Sequence, residues 1–150
     1  MDLIEKIKAS LESGRTDQRT FESAKWKGIL YPELSWQIVG AAIEVHKHIG
    51  PGQLESVYQR SMQCELRRRA IAVRAQVPVP MFFKGDLVGD FYADLIVEDA
   101  IILELKAVER LQAVHTAQLL SYLSAAGLRL GMLMNFNVPR MVHGVKRVVR

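Results

Sequence analysis

The chain has 150 residues, 49% of them hydrophobic, and its 20 basic and 16 acidic side chains leave a net charge of +4. That size and balance allow one compact domain with its own core, and the modest positive excess permits a nucleic-acid partner without requiring one. No stretch approaches the roughly 18 uninterrupted apolar residues of a membrane helix, and the lone Cys64 excludes an intrachain disulfide or a cysteine-based zinc cluster.

The opening residues carry Asp2 and Glu5 instead of a basic region followed by an apolar run, so the expectation is a soluble, cytoplasmic protein with no membrane partner. Leu3, Ile4, Ile7 and Leu11 recur at helical spacing, and the polar stretch "SGRTDQRTFESAKWKG" after them reads as a linker. Residues 1–33 are thus expected to form a helix or arm plus linker, and residues 34–150 the main domain. The arm is either a loosely attached helix or the contact for a protein partner or a second copy.

Ile38, Val39, Ala42, Ile43 and Val45 predict a helix with Ser35 as its N-cap, broken by Gly50-Pro51-Gly52. A second helix, about Leu54 to Ala70, turns Leu54, Val57, Met62 and Leu66 inward. Its terminal Arg67-Arg68-Arg69 complements the helix dipole and needs no ligand. Three β-rich runs follow, "VRAQVPVPMFF", "LVGDFYADLIV" and "AIILELKAV", separated by turns at Lys84-Gly85-Asp86 and near Glu98-Asp99, which predicts an antiparallel meander. Residues 110–126 then predict a helix ending at Gly127, "LRLGMLMNF" a buried strand and "GVKRVVR" a short final one.

The third β-run raises a question of charge. Side chains alternate along a strand, so Ile102, Glu104 and Lys106 share one face, and Ile101, Leu103, Leu105 and Ala107 the other. In the preceding run Ala93, Leu95 and Val97 are expected on the apolar face, with Tyr92 and Asp94 opposite. Matching the apolar faces pairs Val97 with Ile101 across a three-residue loop, Glu98-Asp99-Ala100, and sets Asp94 beside Glu104.

Two carboxylates so placed repel each other and raise each other's pKa unless a cation lies between them. Oxygen ligands of this kind suit Mg²⁺ or Mn²⁺, and the Leu105 carbonyl offers one more. Lys106, on the same face as Glu104, is placed to orient a water or stabilise charge on a phosphate. In the next helix His115, Gln118 and Tyr122 fall on one side, either as core-edge residues or as a wall over that site. Taken alone, E-x-K is as well explained by a cross-strand ion pair.

Asp94, Glu104-Leu105-Lys106 and Gln118…Tyr122 resemble the D…E-x-K…Q-x-x-x-Y signature of the PD-(D/E)XK nuclease superfamily in its RecB-like branch. Gly52, Glu55 and Tyr58 form a G-x-x-E-x-x-Y motif, and with "IVGAAIEVHKHIGPG" before it and "LMNFNVPR" near the end, the chain resembles the bacterial GxxExxY protein family within that superfamily. The resemblance runs from about Leu34 to Arg150. It implies an α/β (α+β) fold with a restriction-endonuclease-like core, in which a mixed central β-sheet is flanked by helices. It further implies Asp94 and Glu104 as metal ligands, Lys106 as the catalytic lysine and Glu55 as the acidic residue that completes the metal shell or activates water. Gln118 and Tyr122 would line the pocket; Tyr58 and His46 are further candidates for it, with Tyr58 equally readable as a core residue and Glu55 as a favourable first-turn acid at the helix dipole. Ala93 stands where the signature has proline, a position that holds no ligand.

The activity implied is Mg²⁺- or Mn²⁺-dependent hydrolysis of nucleic acid, DNA first, with Arg140, Lys146, Arg147 and Arg150 as candidate phosphate contacts. The competing expectation is a non-catalytic nucleic-acid-binding or protein-interaction module that keeps the fold.

Overall fold

In the computed structural model, residues 3–12 and 28–150 are described. In chain order the elements are α1 (Leu3–Glu12), α2 (Pro32–Ile49), α3 (Glu55–Arg68), β1 (Val73–Phe83), β2 (Asp86–Val97), β3 (Ile101–Lys106), α4 (Ala113–Ala126), β4 (Leu130–Asn135) and β5 (Val145–Val149), with a 3₁₀ turn at Met141–Gly144. The five strands form one sheet in sequence order. β1, β2 and β3 run as the expected antiparallel meander, β4 lies parallel to β3, and β5 returns antiparallel to β4. A parallel step needs a crossover, and α4 supplies it.

The sheet separates two apolar layers. Ile101, Leu103 and Leu105 of β3, with Leu130, Met132 and Met134 of β4, pack against α1, α2 and α3 through residues such as Leu3, Ile7, Ile38, Tyr58, Met62 and Leu66. On the other face Ile102, Leu133 and Val148 pack against Leu119, Tyr122 and Leu123 of α4. The central strands are apolar on both faces because both are covered by helices. A mixed five-stranded sheet flanked by helices is the architecture expected.

Three local expectations need correction. The first helix starts at Pro32, with Tyr31 in the left-handed region at its N-cap, and Ser35 lies buried in the first turn instead of capping it. Pro32 supplies a pre-set φ at the helix start, and the Ser35 amide bonds to the Tyr31 carbonyl at 2.9 Å. Leu3, Ile4 and Ile7 of α1 are buried in the larger apolar layer, so this part of α1 packs into the chain's own core instead of standing as a loosely attached helix. The polar linker assigned to residues 13–28 lies, apart from Gly28, outside the described residues.

The third correction concerns β2. Val73, Ala75, Leu95 and Val97 pack into the layer under α1 to α3, whereas Val77, Val79, Met81 and Ala93 pack with α4. Ala93 therefore does not share its environment with Leu95 and Val97. The change of face falls at Gln76, whose φ of 50° is left-handed. Its place is bracketed by the pairs Ala75↔Leu95 and Val77↔Ala93, which puts it opposite Asp94. One left-handed residue interrupts the pleat, so the alternation restarts on the other side.

Candidate functional site

β2 and β3 pair as the hydrophobic pattern requires, with Val97↔Ile101, Ile96↔Ile102 and Leu95↔Leu103 across the loop 98–100. Beyond Leu95 and Leu103 side chains replace the backbone ladder. The Asp94 amide donates to Glu104 Oε1 at 3.2 Å, and the Leu105 amide donates to Asp94 Oδ2 at 2.9 Å. Each carboxylate thus accepts a backbone N–H of the neighbouring strand. A strand residue directs its N–H and C=O to the same side. The Leu105 carbonyl consequently lies on the β2 side of β3, the side of its amide bond to Asp94.

Burial and proximity set the electrostatics. Glu104 is only 5% exposed, and burial, followed by repulsion from Asp94, pushes its pKa up to about 8 from an ordinary 4.5. Asp94 is raised too, chiefly by burial and further by the Glu55 charge, against the lowering effects of the Leu105 N–H and Lys106. Lys106, half-buried at the end of β3, favours the charged form of both carboxylates without overcoming their burial. Tyr122 closes the site from α4. Its hydroxyl pKa is raised by burial and then by Glu104 and Asp94, and it accepts a 3.1 Å hydrogen bond from Gln118 Nε2.

Four residues considered for the site have other surroundings. Glu55 is exposed in the first turn of α3; its charge reaches Asp94, but among the described residues no three His, Cys, Asp or Glu side chains gather at metal-binding spacing. Tyr58 is fully buried in the larger apolar layer, stacked on Phe136 at 4.4 Å between centroids. Its hydroxyl donates to the Gly50 carbonyl at 2.7 Å and accepts the Gln53 amide at 3.1 Å. It anchors the turn between α2 and α3 and is no pocket wall. His46 bonds through Nε2 to the Val138 carbonyl at 2.8 Å, which ties α2 to the segment after β4. His115 accepts the Gln112 amide at Nδ1, as half of a capping box at the start of α4.

Asn135, which hydrophobic patterning presents only as the end of a buried strand, pairs with Lys106 in the parallel ladder. Its Oδ1 accepts the Val108 and Asn137 amides, and its Nδ2 donates to the Val108 carbonyl. These bonds fix the chain that leaves β3 just after Lys106. The available signal was an Asn inside an otherwise apolar strand, since a buried amide must find partners.

The donor set fits a hard divalent cation: two neighbouring carboxylates and a carbonyl are oxygen ligands, and the pKa values, raised chiefly by burial, show that Lys106 alone does not hold the two acids in their charged forms. Residues 32–148 match the PD-(D/E)XK nuclease superfamily, and the chain belongs to that superfamily. No curated relative and no solved structure matches it. Nucleases of this superfamily generally use divalent metal ions and act on nucleic acid.

Proposed function

We propose that the protein is a divalent-metal-dependent nuclease of the RecB-like, GxxExxY type that hydrolyses phosphodiester bonds in DNA. The observation that carries this reading is the contact between Asp94 and Glu104 at the end of the β2–β3 ladder, with Lys106 beside them. Asp94, Glu104 and the Leu105 carbonyl would hold Mg²⁺ or Mn²⁺. When bound, such an ion supplies a Lewis acid for the phosphate and an acidified water as nucleophile.

The chain's own residues do the rest. Lys106 places a positive charge where negative charge develops on the phosphate. Tyr122, positioned by Gln118, covers the carboxylates and excludes bulk water from their α4 side. Glu55 adds negative potential near Asp94, which favours a bound cation.

The test is incubation of circular and linear duplex DNA, single strands and RNA with Mg²⁺, Mn²⁺ or EDTA. The expected outcome is metal-dependent cleavage that Asp94→Asn and Lys106→Ala each reduce by at least about 100-fold. Cleavage that survives both substitutions overturns the site. The exposed position of Glu55, outside the pair, favours a second reading in which the fold is kept as a non-catalytic nucleic-acid-binding or protein-interaction module. Retention of DNA and metal without cleavage by the wild type would select it.

A further inference from the structure

Lys106 ends β3, and the sheet supports it unequally from its two sides. Toward β2 the ladder stops at Leu95↔Leu103, and the Leu105 amide is carried by the Asp94 side chain. Toward β4 the ladder runs on: Lys106 pairs with Asn135, and the Lys106 carbonyl accepts the Phe136 amide at 2.9 Å. Paired residues of a ladder turn their side chains to the same face, and strands lie roughly 4.8 Å apart. Asn135 thus stands directly beside Lys106, on the face that Ile102 and Leu133 present to α4.

Asn135 is 2% exposed. Its Oδ1 takes the Val108 amide at 3.1 Å and the Asn137 amide at 3.2 Å, and its Nδ2 gives to the Val108 carbonyl at 2.8 Å. Both lone pairs of that oxygen are therefore occupied by main chain. We propose that Asn135 is a positioning residue for Lys106: it locks the chain just beyond the lysine onto β4, and it offers the ammonium group no acceptor.

The lysine is then left to the acids on its other side, and its charge does act on Asp94 and Glu104. Without the asparagine amide, the Val108 N–H and C=O lose their partners and must move to find others. The shift falls two residues from Lys106, at a strand end that β2 does not pair. Misplacement of a reacting group by about 1 Å costs on the order of 100-fold in rate. An asparagine that only seals the chain end would change stability and leave the lysine as it was.

Two measurements on the full chain test this. In EDTA and without DNA, the Lys106 Cε resonance is identified by its absence from Lys106→Ala. In Asn135→Ser it should move toward the position of exposed lysines while the other lysine signals stay. With DNA and Mg²⁺, where the proposal rests on the nuclease activity proposed above, Asn135→Ser should lower kcat by about 10- to 100-fold with KM nearly unchanged. Lys106→Ala and the double variant should cleave alike within about 3-fold, because the asparagine acts through the lysine. A kcat loss that persists in full on the Lys106→Ala background overturns the proposal, as does a Lys106 resonance that stays in place in Asn135→Ser. No cleavage by the wild type, or full activity of Lys106→Ala, refutes the nuclease activity instead, and the resonance then decides. If Asn135→Ser fails to fold, Asn135→Thr, which fills more of the space and keeps a hydroxyl for the Val108 amide, replaces it in both measurements.

Discussion

Replacing Glu104 with glutamine tests the electrostatics of the site without needing a substrate. The folded-state pKa of Glu104 lies near 8 against an ordinary 4.5. Because it is raised, the protonated side chain suits the fold, and its contribution is complete below about pH 4.5 and disappears as the pH rises through 8. At 1.36 kcal/mol per unit, the loss across that window reaches about 5 kcal/mol for the metal-free protein. Asp94, also raised, acts with the same sign.

The substituted glutamine imitates the protonated acid: its carbonyl can still accept the Asp94 amide, and its NH₂ can donate to the Asp94 carboxylate. Urea unfolding in EDTA at pH 5, 6.5 and 8.5 is the assay. The wild type should lose stability steadily as pH rises, and Glu104→Gln should be nearly flat and the more stable of the two at pH 8.5. Mg²⁺ at 100 times its dissociation constant should return about 2.7 kcal/mol to the wild type at pH 8.5 and much less to the variant. A metal-free wild type whose stability is level or rises between pH 5 and 8.5 refutes the reasoning.

Asp94→Asn removes the neighbouring charge and should lower the Glu104 pKa from about 8 while burial holds it above 4.5, read by carboxyl-carbon NMR titration. Tyr58→Phe strips the hydroxyl that joins the Gly50 carbonyl to the Gln53 amide and should cost about 1–3 kcal/mol in a denaturant melt; loss of nuclease activity in a fully folded Tyr58→Phe would instead return Tyr58 to the pocket. Gly144→Ala puts a Cβ 2.0 Å from the backbone oxygen of Asn135 and should destabilise by about 3 kcal/mol or more, seen as a large drop in melting temperature.

The strands and their register were legible because β3 and the end of β2 obey an alternation with a period of two, and only one pairing keeps both apolar faces covered. That pairing requires the three-residue loop and brings Asp94 to Glu104. The change of face at Gln76 was not legible, because nothing in the residue type announces a left-handed glutamine and an unbroken pleat is the natural assumption for Ala93, Leu95 and Val97. The partners of Tyr58, between its core and pocket readings, and of His46 were not legible for a different reason. Their polar atoms bond to backbone groups, and the partner of His46, Val138, lies 92 residues away. Spacing along a helix gives the direction of a side chain but not what it meets there.

At the mouth of the β2–β3 ladder the bonds that close the sheet and the groups that define the site are the same atoms. The Leu105 amide is held by a carboxylate that a cation or a proton can claim. Its exchange with solvent deuterium should therefore track the state of the site, slow while Asp94 keeps the bond and faster whenever that carboxylate is drawn elsewhere. The central strand thus carries an indicator of site chemistry in its own main chain, readable at one amide without a label or a substrate.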